Sequence, residues 1–173
     1  TILRLDGRGF SKFTAERFEK PFDPRFHELM LLTTEALVEE FNAVFAYTES
    51  DEISVLLPFG WDFFDREVEK VLSISASVAS SVFSIALGEA VQFDSRIWIG
   101  GLRDSVIDYF CWRQSDATRC ALNGWTYWHL REEGMSAREA TEHLMGRNSS
   151  EKQEILFQRG VNFNDLPGWQ KRG

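Results

Sequence analysis

The chain has 173 residues, 43% apolar and 14% aromatic, with 19 Lys and Arg against 27 Asp and Glu for a net charge of −8. That composition is globular and excludes collagen, coiled-coil and disordered classes. The length suits one domain, and no apolar run approaches the roughly 20 residues of a membrane helix, so no membrane partner is expected.

Ile2-Leu3-Arg4-Leu5-Asp6 reads as a short strand, broken by Gly7-Arg8-Gly9. The chain is expected to carry no secretory leader, to be cytoplasmic and to be a fragment clipped at both ends. Leu29, Leu32, Ala36 and Leu37 recur at helical spacing, and Phe41 closes that stripe of a helix over 25–42. Val44–Tyr47 and Ile53–Leu57 read as two strands joined by the five-residue turn Thr48–Glu52, a hairpin. Asp62 is placed to cap a long helix reaching about Leu87. Its run of small residues, Ser73 to Ser81, predicts close approach by a helix or a sheet, or less commonly by a phosphate. Val91–Phe93 reads as a strand, followed by Asp94-Ser95-Arg96 and another short apolar run.

A second long helix is expected over 104–131, with Trp112, Trp125, Tyr127 and Trp128 in a core or subunit contact. Cys111 and Cys120 stand nine positions apart on it, on opposite sides, and are expected as buried free thiols of a reducing compartment. No CxxC occurs, and the three His show no ligand spacing, which argues against zinc. Ser136 and Glu139 form a capping-box pattern for a helix ending near Gly146. Ser149 or Ser150 is expected to cap a last helix, to about Gln158. The order β–α–β–β–α–β followed by helices is the ferredoxin-like split arrangement, an α+β fold with an antiparallel sheet and helices on one face. It predicts a mixed core over 1–100 and a helical extension over 101–173 packed on it as one unit.

Charge divides unevenly along this order. Residues 1–100 hold nine basic and 17 acidic side chains, and residues 101–173 hold ten of each. Between His27 and Asp65 there are nine acids and no Lys or Arg. Such a balance does not advertise nucleic-acid binding; the acids are solvated faces or hold divalent cations. In this topology the first strand neighbours the central hairpin, so Asp6 meets Asp51 and Glu52 at one end of the sheet. The Gly7 carbonyl reaches the same point. Two carboxylates and a carbonyl form a hard-oxygen set suited to Mg²⁺, and the alternative is that Asp6 and Asp51 are ordinary turn formers. Arg8, Lys12 and Lys20 follow the first strand, Arg66 and Lys70 are expected on one helix face, and Lys152 opens the last helix. These cations either neutralise a triphosphate or pair with the many acids.

Arg4-Leu5-Asp6-Gly7-Arg8-Gly9-Phe10 resembles the opening motif of the tRNA-histidine guanylyltransferase family, as does Lys20-Pro21-Phe22-Asp23. Tyr47–Ser54 resembles its second carboxylate motif. Asp108-Tyr109-Phe110, Trp112-Arg113-Gln114, Lys152–Gln158 and Asn162–Pro167 continue the match in order, nearest to the bacterial and archaeal "like" proteins. The resemblance implies a polymerase-type palm that adds nucleotides 3′ to 5′ onto the 5′ end of tRNA, using ATP, GTP or another NTP and two Mg²⁺ ions. It implies metal ligation by Asp6, Gly7 and Asp51, with Glu52 beside them. It implies nucleotide contacts for Arg8, Gly9, Phe10, Lys20, Asp23, Ser50, Arg66, Lys70 and Lys152. A homotetramer, a dimer of dimers, is also implied, and assembly is expected to gather Arg113, Arg119 and Arg131 into a tRNA track. Guanylyltransferases carry a His-Ile-Asn-Asn run soon after the Asp matching Asp116; this chain reads Asp116-Ala117-Thr118-Arg119-Cys120-Ala121-Leu122-Asn123 there, without the His, which points to templated 5′-end repair. The alternatives are a palm-type nucleotide cyclase and a tRNA-binding protein without catalysis.

Overall fold

The computed structural model describes all 173 residues, which divide into two compact units, Thr1–Asp108 and Tyr109–Gly173. The first contains β1 (Ile2–Gly7), α1 (Phe10–Arg17), α2 (Pro24–Glu40), β2 (Phe45–Glu49), β3 (Glu52–Leu56), α3 (Val68–Leu87) and β4 (Phe93–Trp98). Helix α4 (Arg103–Glu132) begins in the first unit and continues into the second, which adds α5 (Ala137–Leu144) and α6 (Ser149–Phe157).

The sheet order is β2-β3-β1-β4, and every neighbouring pair is antiparallel. This is the expected split arrangement. Successive strand residues alternate between faces. Leu3, Leu5, Ile53, Val55 and Phe93 therefore point to one side, where they form a buried core with Met30 and Leu37 of α2 and Val71, Ala79 and Phe83 of α3. Asp6 and its two register partners, Glu52 on β3 and Asp94 on β4, share the opposite face.

Several local expectations shift. The first crossover contains an additional helix, α1, whose Phe10 and Phe13 join Phe26 and Phe83 in an aromatic cluster. The hairpin turn shortens to Ser50-Asp51, because Glu49 pairs with Glu52 and Thr48 donates its hydroxyl to the Glu52 carbonyl at 3.0 Å. The helix expected from Asp62 starts at Val68. Phe64, Asp65 and Arg66 have φ values of 57°, 51° and 60°, and a left-handed stretch cannot propagate a right-handed helix. Asp94–Arg96 lies within β4 and does not interrupt it.

The small residues of α3 face a strand, as one branch of the expectation held. The Ser84 hydroxyl accepts from the Val91 amide at 2.9 Å, Ser80 from the Phe93 amide at 2.9 Å, and Ser75 donates to Ser95 at 2.8 Å. Alternate residues leading into β4 are thus stitched to one helix face. By length and composition α3 reaches membrane-span size, with a mean hydropathy of 1.6, which corrects the expectation that no run approaches it. Its buried stripe and its serine bonds account for it as a helix packed on the sheet.

In the second unit Leu130, Ala140 and Ile155 form a small core bordered by Tyr127, Met135 and Leu144. Capping boxes open α5 at Ser136 and Glu139, as expected, and α6 at Asn148 and Glu151 in place of the expected serine. Cys111 and Cys120 are both exposed, which overturns the buried-thiol expectation: the buried stripe of α4 runs through Tyr109, Arg113, Ala117 and Ala121 and passes neither. Trp112 is likewise 53% exposed, with the Arg113 guanidinium 4.5 Å from its ring.

Candidate active site

Register carries the two motif carboxylates to one place. Asp6, one residue before the end of β1, lies opposite Glu52, and the Gly7 amide donates to the Asp51 carbonyl at 3.0 Å. The main chain of the hairpin turn is therefore bonded to the end of β1. Burial pushes the Asp51 carboxyl above its ordinary range, and the charge of Asp6 adds to that rise. The Ser50 hydroxyl and Lys20 act in the opposite sense. Lys20 is half-buried, donates to the Thr14 hydroxyl at 2.6 Å and has its pKa lowered by burial, against the pull of Asp51 and Asp23. Two adjacent carboxylates with one neighbouring ammonium are a donor set that a divalent cation complements.

Gly7 has a steric reason to be glycine. A Cβ there would fall 2.4 Å from the Phe10 ring, which is 2% exposed in the core. Phe10 therefore reaches the site through its backbone, at the start of α1. Gly9 precedes it as the N-cap with φ 72°, and the first turn of α1 has no acidic residue. Arg8 is anchored on Gln92, its amide to the carbonyl at 2.8 Å and its guanidinium to the side-chain oxygen at 2.8 Å. Asp23 is 4% exposed and caps α2: it accepts from the Glu19 and Arg25 amides at 2.8 Å and from the Arg25 guanidinium. Those bonds hold its carboxyl well below the usual range.

The structure thus gathers Asp6, Gly7, Arg8, Gly9, Lys20, Ser50, Asp51 and Glu52 at one end of the sheet. Arg66 and Lys70 are elsewhere. Arg66 lies in the turn before α3, near Thr1, and so stands at the other end of β1. This corrects the reading that set it on a helix face with Lys70, whose ammonium pairs with Glu67 at 3.0 Å. In the second unit Lys152 donates to the Asn123 side-chain oxygen at 2.7 Å. Arg113 is buried against Asp116, Arg119 is exposed and shares that carboxylate, and Arg131 donates to the Tyr127 hydroxyl at 3.4 Å.

Three neighbours of the carboxylates were not singled out from sequence. Asp94 is the β4 partner of Asp6, Arg4 pairs with Glu52 at 3.8 Å, and Thr14 holds Lys20. Arg4 stood two residues before Asp6, on the same face, and strand periodicity alone marks it. Asp94 required the pairing of β4, and Thr14 required α1.

Comparison with known proteins covers the chain end to end. The profile of Thg1, tRNAHis guanylyltransferase, matches residues 1–103, and that of the Thg1 C-terminal domain matches 104–173. The tRNA(His) guanylyltransferase of Debaryomyces hansenii is 36% identical over 99% of this chain and 71% of its own length. A probable tRNA(His) guanylyltransferase of Drosophila melanogaster is 33% identical over 99% of this chain, which spans 64% of the fly protein. The crystal structure of the Saccharomyces cerevisiae enzyme superposes with a TM-score of 0.91 at 30% identity, over 99% of this chain and 82% of that one. A bacterial Thg1-like protein in complex with ATP superposes at 0.86 and 31% identity, over 99% and 76%. Identity does not separate the guanylyltransferases from the like proteins, so the expected lean towards the latter rests on motif residues. With two profiles matched in sequence order and the motif carboxylates meeting at one end of the sheet, the chain belongs to the tRNA(His) guanylyltransferase family.

Proposed function

We propose that this protein adds nucleotides in the 3′–5′ direction to the 5′ end of a tRNA. The observation that carries the reading is the meeting of Asp6 and the half-buried Asp51, each charge raising the cost of the other, at the end of β1. Asp6, Asp51 and the Gly7 carbonyl would hold two Mg²⁺ ions. When bound, such ions activate a hydroxyl and stabilise the departing pyrophosphate. The chain's own groups supply the rest. Lys20 and Arg8 offset phosphate charge, and the amides at the start of α1, past Gly9, accept a phosphate as helix N-termini do. Glu52, held by Arg4, keeps the carboxylate end ordered.

The substrates are tRNA, ATP and GTP or another NTP; the bacterial relative's complex with ATP supports this. The absence of that His from Asp116–Asn123 favours templated repair of truncated 5′ ends over guanylate addition to histidine tRNA. A cytoplasmic homotetramer completes the reading. A cyclase palm would leave the match over 104–173 without a role.

The test is a 3′-labelled tRNA lacking its first 5′ nucleotide, incubated with protein, Mg²⁺, ATP and each NTP in turn. One-nucleotide growth with the pairing NTP alone is expected. Growth of full-length histidine tRNA with GTP alone would instead assign guanylate addition. No growth, with a 5′-triphosphate substrate also tried, would sink the enzyme reading. Asp51→Ala is expected to lower addition at least about a hundredfold while tRNA binding persists.

A further inference from the structure

Thr14 is a buried polar side chain inside the short helix α1. Threonine favours a helix less than alanine does, so the reason for it here is sought in its hydroxyl. A hydroxyl has one proton to give and two lone pairs that accept. The proton goes to the Phe10 carbonyl at 2.8 Å, the bond a helical threonine makes to the fourth residue back. The oxygen is left as an acceptor, and what it accepts is the Lys20 ammonium, at 2.6 Å. Two bonds thus run in series from the first turn of α1, through one hydroxyl, to the cation beside the carboxylates. The backbone that carries Lys20 is held as well: the Phe18 amide donates to the Thr14 carbonyl at 3.1 Å, and the Glu19 amide donates across the turn to Asp23 at 2.8 Å. Of the two carboxylates that pull on the ammonium, Asp51 pulls more than Asp23. Asp23 is already engaged by the Arg25 guanidinium and two amides. Asp51 is the carboxylate offered to a metal, and an ammonium seated on it competes with a divalent cation for the same oxygens.

We infer that Thr14 is a positioning residue: its hydroxyl fixes the Lys20 ammonium beside Asp51, so that the carboxylate stays available to a divalent cation and the ammonium to a phosphate. The identity of both ligands rests on the proposed function. Without the Thr14 oxygen the pull of Asp51 decides where the ammonium goes, and it settles on the carboxylate that the metal needs.

The probe is Mn²⁺, titrated into the full chain without nucleotide and followed by electron paramagnetic resonance, which counts the free ion. Thr14→Val keeps the shape of the side chain and removes its oxygen. It is expected to weaken Mn²⁺ binding about tenfold, the scale of loss when a group behind a metal ligand is removed. Thr14→Ser keeps the hydroxyl and is expected to bind Mn²⁺ as the parent does. Lys20→Met removes the ammonium, and in that background Thr14→Val is expected to change nothing further. In the addition assay at saturating Mg²⁺, Thr14→Val should raise the KM for the incoming nucleotide about tenfold and leave kcat nearly unchanged, a loss of ground-state binding. If valine prevents folding, Thr14→Ala gives the same comparison. Parent-like Mn²⁺ binding by a folded variant without the hydroxyl overturns the inference. An equal loss in the Lys20→Met background overturns it too, because Thr14 would then act as a structural part of α1. A parent that binds no Mn²⁺ overturns the inference together with the metal site. Weakened Mn²⁺ binding in protein that adds no nucleotide supports the inference and sinks the proposed function instead.

Discussion

Gly7 carries a demand that the motif alone does not explain. The demand is the Phe10 ring, fixed in the core against Phe83 and Phe93 at centroid distances of 5.4 and 5.0 Å. Gly7→Ala is expected to destabilise the fold by about 1–3 kcal/mol, as overpacking does, and urea unfolding measures it. Truncating Phe10 in the same chain should recover part of that loss, and a double-mutant cycle reads the recovery. Asp23 makes a different kind of contribution. Asp23→Ala removes the α2 cap and is expected to cost about 1–2 kcal/mol. Its folded pKa is depressed, chiefly by the Arg25 bond, so its contribution is complete above the ordinary value of 3.8 and fades as pH falls below it. Asp23→Asn keeps a capping oxygen but not the charge; its stability should fall less steeply below pH 4 than that of the parent. At this scale the sequence was legible where chemistry sits at a strand end or a turn, as with Asp6 and Asp51. The N-cap role of Asp23 was also readable, since Pro24 follows it, yet the motif resemblance had assigned that residue to nucleotide.

The elements show why some boundaries could be read and others not. Helix α2 has a continuous apolar stripe and clear ends. Helix α1 has eight residues, and its buried Phe10 and Thr14 are too few to set a period. The start of α3 differs because Asp62 looks like a cap, while the chain around it is held by Trp61, which donates to the Phe41 carbonyl at 3.0 Å, a contact that spacing does not show. The small-residue run of α3 signalled a close neighbour; which neighbour required β4. The serine bonds to the segment leading into β4 can be tested one at a time. Ser80→Ala leaves the Phe93 amide without its hydroxyl partner, a loss expected to cost about 1–2 kcal/mol. Faster amide exchange at Phe93 than elsewhere in the sheet would locate the effect; uniform acceleration would refute it.

For the whole molecule, charge is the quantity to explain, because a chain of net charge −8 is proposed to bind a polyanion. The acids concentrate in the first hundred residues, and residues 101–173 balance to zero, with several arginines already matched to carboxylates. Association with tRNA should therefore use few phosphate contacts and still weaken with salt. Two such contacts predict about a tenfold loss of affinity between 50 and 200 mM salt, and an affinity indifferent to salt would exclude a phosphate-tracking surface. The stitching of α3 to the residues around Val91 and Ser95 also has a consequence for how the chain is made. Synthesis from the N-terminus delivers Val68–Leu87, a segment apolar enough to cross a membrane, before the strand that engages its serines exists. Strand β1 waits in the same interval with β3 on one side and nothing on the other. The passage from Leu87 to Trp98 is thus the moment of greatest hazard in biosynthesis, and a ribosome stalled within it would leave a nascent chain for chaperones to hold.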